Sequence, residues 1–271
     1  MSPLQDAVLA WYACAGRTLP WRGTDDPYAV LVSEIMLQQT QVSRVLVAYP
    51  AFLECFPDVR SLAGAPRADV LQAWKGLGYN RRAVALHRAA QTIVEQHGGV
   101  VPADVGALQS LPGVGAYTAR AVVAFAFSGD AAPVDTNIRR VLTRCVSGSP
   151  LKGAGLQAAA DAALPAGRGR DWSAALMDVG ATYCRAQPRC GDCPLRGVCA
   201  WSNAGGPDPA AVAPTPAASF VGSSRYHRGR LLDALRRGDV GRDALAPAAL
   251  LDDGQRAARI ADDLVADGLA E

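Results

Sequence analysis

Apolar residues recur at helical spacing along most of the chain, and no convincing alternating strand pattern is present. The segment DPYAVLVSEIMLQQTQV opens with Asp26, a natural N-cap, and Pro27, which suits a first helical position. Further helices are predicted over 68–77, 81–97, 105–109, 117–127 and 137–145, most of them punctuated by Gly or Pro. After Trp201 the pattern stops: NAGGPDPAAVAPTPAAS, rich in Ala, Pro and Gly, predicts a linker over 203–223. Helical spacing then resumes with Leu231, Leu232 and Leu235, followed by Ala258, Ile260, Leu264 and Val265. The pattern predicts an all-α fold.

At 271 residues, with 50% hydrophobic and 19% charged residues, the chain is globular and long enough for two domains. The net charge of +2 does not by itself indicate a nucleic-acid partner. Any such face needs local clustering, for which Arg81, Arg82 and Arg88, or Arg139, Arg140 and Arg144, are candidates. Solvated helix faces are the other reading of both groups. The N-terminus lacks a signal-peptide pattern, and the apolar run at 121–127 is too short for a membrane span. A soluble cytoplasmic protein, nucleoid-associated and without membrane contact, is expected. Of seven cysteines, Cys14, Cys55 and Cys145 are scattered, whereas Cys184, Cys190, Cys193 and Cys199 crowd together and suggest a metal centre.

Several residues carry candidate chemistry. LPGVG at 111–115 offers a tight turn through Gly113 and Gly115, after which a helix would start with free N–H groups suited to a phosphate. Asp135 follows twenty residues past Gly115 and reads as an N-cap held ionised by its helix. Glu34 would share a helix face with Val30, Leu31, Leu37 and Gln38. Apolar surroundings would raise its pKa, as a proton donor near neutrality requires. A solvated glutamate on an amphipathic helix is the bland alternative. In GLGYNRRA, glycines and an aromatic precede two arginines, which suits a loop that inserts a ring and anchors phosphates. Four thiols spaced C-x5-C-x2-C-x5-C would wrap one centre, and a 4Fe–4S cluster fits better than zinc.

The hairpin with its distant aspartate resembles the helix–hairpin–helix element of the endonuclease III superfamily of DNA glycosylases. SEIMLQQTQV resembles the catalytic segment of the adenine glycosylases of the MutY type within it. The resemblance runs from about Leu9 to Trp201. It implies that Glu34 is the general acid, that Asp135 stabilises the sugar cation, and that Asn137 orders water or sugar. Gln38 and Gln39, with Thr40, would contact the base stack, and Tyr79 would enter it beside an oxidised guanine. Trp21 and Arg22 of LPWR would lie near the flipped adenine. Tyr117 stands where bifunctional relatives carry a Schiff-base lysine, so a monofunctional enzyme is expected. The four cysteines would hold a 4Fe–4S cluster, although the first spacing is usually six residues and here is five; Arg185, Arg189 and Arg196 around it would meet phosphates.

The fold implied is a two-domain core: a helical barrel-like domain with the hairpin over 25–133, and a cluster domain from 1–24 and 134–202, with the active site in the cleft between them. Residues 224–271 would add a small helical unit similar to a helix-turn-helix or winged helix; a packing appendage is the other reading. They are too few for the Nudix-like domain of many family members. The activity implied is monomeric removal of adenine mispaired with 8-oxoguanine or guanine in double-stranded DNA. A thymine- or uracil-mismatch glycosylase, or a non-catalytic cluster-bearing DNA-binding protein, are the alternatives.

Overall fold

A computed structural model describes residues 1–212 and 219–271, so residues 213–218 of the expected linker lie outside the described part. Among the described residues fifteen α-helices follow in order: α1 (Pro3–Ala15), α2 (Pro27–Leu37), α3 (Val42–Cys55), α4 (Val59–Gly64), α5 (Arg67–Ala73), α6 (Arg81–Gln96), α7 (Val105–Gln109), α8 (Ala116–Ala126), α9 (Thr136–Val141), α10 (Gly153–Ala163), α11 (Gly169–Thr182), α12 (Ala200–Ala204), α13 (Ser224–Leu235), α14 (Leu245–Ala249) and α15 (Gly254–Ala266). No strand occurs among the described residues, so the all-α expectation holds and the C-terminal helices carry no wing. None of the described helices is long and apolar enough to cross a membrane.

The chain folds as two compact units, Met1–Ile35 with Val101–Ala213, and Met36–Val100 with Pro214–Glu271. This grouping is drawn differently from the expected domains. The hairpin and the cysteine loop share the first unit, and the C-terminal helices belong with 36–100. The division falls inside α2, between Ile35 and Met36.

In the first unit, α1, α9 and α11 bury Val8, Leu9, Ile138, Val141, Trp172, Leu176 and Val179 together. Burying each such side chain contributes about 1.5–3 kcal/mol. The chain after α9 does not stay α-helical to 145 as expected. It continues as a π-helical turn, Leu142–Ser147, which turns both Arg144 (1% exposed) and Cys145 inward. Arg144 is therefore no DNA-facing residue. Its guanidinium donates to both carboxylate oxygens of Asp208 at 2.8 and 2.6 Å and stacks 5.6 Å from the Trp201 ring. Asp208 sits in the stretch expected to be linker. Residues 203–212 are thus anchored, because a buried guanidinium needs a charged partner that composition does not reveal.

In the second unit, α4 and α5 pack on α6, α3 packs on α5, and the ring of Phe52 in α3 meets Phe56 and Trp74 edge-on. Sequence periodicity misses α3 because Pro50 lies inside it, where a proline normally breaks a helix.

One close approach fixes the later chemistry. A Cβ on Gly180 of α11 would lie 2.5 Å from the Cβ of Asn137 on α9. Only glycine lets these helices cross at that spacing. Gly180→Ala is expected to cost about 1–3 kcal/mol through overpacking, read as a lower urea midpoint; a wild-type midpoint would mean that α9 shifts freely.

Candidate active site and cysteine loop

Every residue of α2 from Val30 to Met36 is at most 4% exposed. The helix is apolar on all sides, and Glu34 and Ser33 are the polar exceptions within that run. Ser33 satisfies its hydroxyl on the Val30 carbonyl at 2.8 Å. Glu34 has no such local outlet. Burial pushes its carboxyl up to about 7, the Tyr117 hydroxyl pulls it down, and Asp135 adds to the rise. Its Oε2 is buried and has no hydrogen-bond partner among the described residues, which leaves the Tyr117 bond to Oε1. Below about pH 7 this carboxyl is mostly protonated, and its unpartnered oxygen is free to carry the proton, the condition of a general acid.

Tyr117 reaches Glu34 because it is the second residue of α8, directly after the hairpin. Burial raises its phenol well above its ordinary value, and both carboxyls add to the rise. It therefore stays protonated and donates to Glu34. Gly113 adopts φ 78, a left-handed conformation suited to glycine. Gly115 is the N-cap of α8 and brings no side-chain cap; a Cβ there would meet nothing within 4 Å. The first N–H groups of α8 thus begin at an open backbone surface, suited to an anion.

Asp135 caps α9: its Oδ1 accepts from the Ile138 N–H at 2.6 Å and its Oδ2 from Asn137 Nδ2 at 2.7 Å. Asn137 Oδ1 in turn accepts from Arg140 Nη2 at 2.6 Å, and Arg140 also donates to the carbonyls of Gly180 and Cys184. Sequence reasoning predicts the two carboxyls driven in opposite directions. Burial instead raises Asp135 as well, against the downward pull of Ile138, Asn137 and Arg140. What separates the two is orientation: Asp135 has fixed donors on both oxygens, and Glu34 on one.

Arg22 lies near enough to Glu34 to pull its carboxyl down, while its own side-chain hydrogen bonds go largely to Asp178. It grips Asp178 of α11 with both terminal nitrogens, at 2.7 and 2.8 Å, and Arg17 adds its Nε and backbone N–H to the same carboxylate. Asp178 is fully buried. Burial pushes its pKa up, but Arg22 and Arg17 outweigh that and hold it below the usual carboxylate range. Trp21 beside Arg22 is buried. Asp178 was missed by sequence reasoning, although the same signal that marks Glu34, a lone acid in an apolar helix, marks it in LMDVGA.

Gln38, Gln39, Thr40 and Tyr79 lie in the second unit. Arg82 organises them. Its guanidinium donates to the carbonyls of Met36 and Gln38, to Thr40 Oγ1, and to the carbonyls of Leu77 and Gly78, over 2.5–3.3 Å. Gln39 (φ 54) and Tyr79 (φ 46) both take the left-handed conformation, rare for such residues, and Tyr79 is 48% exposed. Arg82 is therefore a structural tie between two loops rather than part of a free basic face.

Cys184, Cys190, Cys193 and Cys199 all line one small cavity, with Cys145 as a fifth thiol that the spacing did not reveal. Among the described residues no three His, Cys, Asp or Glu side chains stand close enough to hold one ion. The donor chemistry nevertheless fits a thiolate-bound group. Cys145 hydrogen-bonds to Cys184 and to Cys199 and, with Arg144 3.3 Å from the Cys184 sulfur, draws both below the usual thiol range. Backbone N–H groups of Trp201 and Ser202 point at Cys199, and that of Leu195 at Cys193. Burial raises Cys190 and Cys193. Of the arginines around the loop, Arg185 donates to the Ala181 carbonyl and Arg189 pairs with Asp192, both in exposed positions.

The raised Glu34 pKa has a thermodynamic consequence. Between the ordinary carboxyl value and about 7 the folded chain holds a proton that the unfolded chain has lost. Folding stability from this group therefore falls as pH rises through that window. Glu34→Gln removes the dependence, so its stability relative to wild type is expected to improve by about 2–3 kcal/mol from pH 5 to pH 8. Urea unfolding at the two pH values checks this; parallel pH dependence in both proteins would show Glu34 to titrate normally.

Residues 32–156 match the family model of the HhH-GPD superfamily base excision DNA repair proteins. The chain is 45% identical to an adenine DNA glycosylase of Mycolicibacterium smegmatis, over 100% of this chain and 93% of that protein. It is 46% identical to an adenine DNA glycosylase of Mycobacterium tuberculosis, over 97% and 88%. The solved structure of a thermostable thymine-DNA glycosylase superposes with a TM-score of 0.69 at 33% identity, covering 73% of this chain and 94% of that one. The chain therefore belongs to the HhH-GPD superfamily of base excision DNA repair proteins and, within it, to the adenine DNA glycosylases, enzymes that act on N-glycosyl bonds.

Proposed function

We propose that this enzyme, acting as a monomer, removes adenine mispaired with 8-oxoguanine or guanine from double-stranded DNA, by hydrolysis and without strand cleavage. The observation that carries the reading is Glu34: a buried carboxyl with a pKa near 7 and one oxygen without a protein partner among the described residues. A flipped adenine receives the Glu34 proton, at N7. The C1′–N9 bond then breaks with its electron pair going to the base, and positive charge develops on the deoxyribose. Asp135, held by Ile138 and Asn137, faces that charge as a fixed carboxylate. Water adds at C1′ and its proton returns to the carboxylate pair. Tyr117 donates to Glu34 and supplies no amine, so no Schiff base forms on the sugar.

Glu34→Gln and Asp135→Asn are each expected to slow single-turnover adenine release by about 10²–10⁴-fold while leaving duplex binding largely intact. Wild-type release should fall as pH rises through about 7, as Glu34 loses its proton. It should also fall at the acid end as Asp135 gains one. Release at a near-native rate by either variant would remove the assignment. The 33% identity to a thymine-DNA glycosylase keeps a thymine or uracil substrate as the second reading. A panel of duplexes with adenine, thymine or uracil opposite guanine and 8-oxoguanine separates the two.

The four loop cysteines, 184, 190, 193 and 199, are proposed to hold a 4Fe–4S cluster, which when bound would serve structure and local electrostatics. Cys184 is tied by its carbonyl to Arg140, so the loop and the Asp135 network share a strut. Purified under anaerobic conditions, the protein should contain about four irons and about four labile sulfides per chain. Cys199→Ser should lose most of both; zinc in their place would overturn the cluster assignment.

A further inference from the structure

The loop from Gly76 to Asn80 holds one residue, Tyr79, in a conformation that its side chain does not favour. Gly76 and Gly78 have φ of 88 and 69, and Tyr79 follows at 46 with half its surface exposed. A bulky residue keeps a left-handed backbone only when its surroundings over-determine it. From one side the support is Arg82, whose guanidinium lies 5.5 Å from the Tyr79 ring centroid, and Trp74, whose Nε1 donates to the Gly78 carbonyl at 3.1 Å.

The other side is held by the C-terminal helices. Arg236, the C-cap residue just after α13, with a side chain only 8% exposed, donates to Asn80 Oδ1 at 2.9 Å and to the Leu71 carbonyl at 3.1 Å. Asp267, just after α15, pairs with Arg81 at the start of α6 and with Arg228 of α13. Its carboxyl is drawn below the usual range, by Arg81 first. Arg67 reaches the Gly268 carbonyl, and Arg225 comes within 3.5 Å of the Tyr79 hydroxyl. The helices themselves are knit by buried Leu231, Leu232, Ile260 and Leu264. Two tethers, from different helices, thus close on the two residues that follow Tyr79.

We infer that α13–α15 is a brace that holds Tyr79 in position for insertion into DNA, with Arg236 and Asp267 as its positioning residues. The inference rests on the adenine-glycosylase reading above and, within it, on the expectation from the family resemblance that Tyr79 enters the base stack. The brace gives the C-terminal segment a role in recognition: it orders a residue of the core rather than touching the base itself. Neither residue contacts substrate in this account.

The test uses the full chain in the Glu34→Gln background, so that no base is released, and a duplex with 2-aminopurine beside 8-oxoguanine. The fluorescence change on binding reads insertion. Asp267→Asn is nearly isosteric and leaves Arg81 and Arg228 in place; Arg236→Ala removes the second tether. Each is expected to shrink the fluorescence change at saturating protein. In the Glu34-intact chain each should lower the preference for adenine opposite 8-oxoguanine over adenine opposite guanine by about ten-fold, as expected for loss of a charge-assisted hydrogen bond. The pH profile of release should stay unchanged. Added net positive charge alone would tighten DNA binding and leave the fluorescence change intact, so that outcome for Asp267→Asn overturns the brace. Should Arg236→Ala fail to fold, Asp267→Asn decides alone. The Tyr79→Ala variant separates the two levels of the argument. If it leaves fluorescence and preference unchanged, the insertion reading fails. If it changes them and the brace variants do not, only the brace fails; if the brace is right, Asp267→Asn adds nothing in the Tyr79→Ala background.

Discussion

The desolvation of one carboxyl, Glu34, is the constraint on which the rest of the first unit depends. A carboxyl as buried as that of Glu34 cannot ionise at its ordinary pH without a large cost, and burial outweighs the hydrogen bond from Tyr117. The balance leaves a weak acid near neutrality. Were Tyr117 joined by a second donor on Oε2, the carboxylate would be favoured and the proton lost. An apolar helix all round, with one donor on one oxygen, is thus a chemical setting rather than a packing accident.

The second carboxyl is managed by the opposite means. Asp135 is also buried, and burial also raises it, yet both its oxygens are occupied. The chain of contacts from Asp135 through Asn137 and Arg140 to the Cys184 carbonyl ties it to the cysteine loop. Gly180 makes the geometry possible, because any larger residue would push α11 away from Asn137. Asp178, gripped by Arg22 and Arg17, fastens the same helix α11 to the segment just before α2. Helix α11 is therefore tied both to the Asp135 network and to the segment that leads into the helix of Glu34. A cysteine loop anchored to this network can stabilise the site without taking part in the chemistry.

Arginine is used inward in this protein more than its sequence suggests. Arg22, Arg82, Arg140 and Arg144 each link backbone carbonyls or carboxylates from separate segments, which suits a planar group with five donors. Part of the protein's cationic inventory holds loops in unusual backbone conformations, as Arg82 does beside Gln39 and Tyr79.

Local sequence determined a good deal. Helical periodicity with Gly and Pro punctuation located α6, α7 and α8 nearly to the residue, because backbone preference there is decided within a few positions. Glu34 stood out as an acid in an apolar stretch and Asp135 as an N-cap, and the structure places both with Tyr117 in one unit. What periodicity could not supply was anything set by a partner distant in the chain. The inward turn of Arg144 and Cys145 depends on a π-helical turn and on Asp208, sixty-four positions away. Asp178 became legible only with Arg17 and Arg22 beside it, and Arg82 only with two loops closed around it. The anchoring of 203–212 contradicted its linker-like composition for the same reason. Composition and spacing report on neighbours along the chain, whereas the pairing of a buried charge is fixed by whichever segment the fold brings to it.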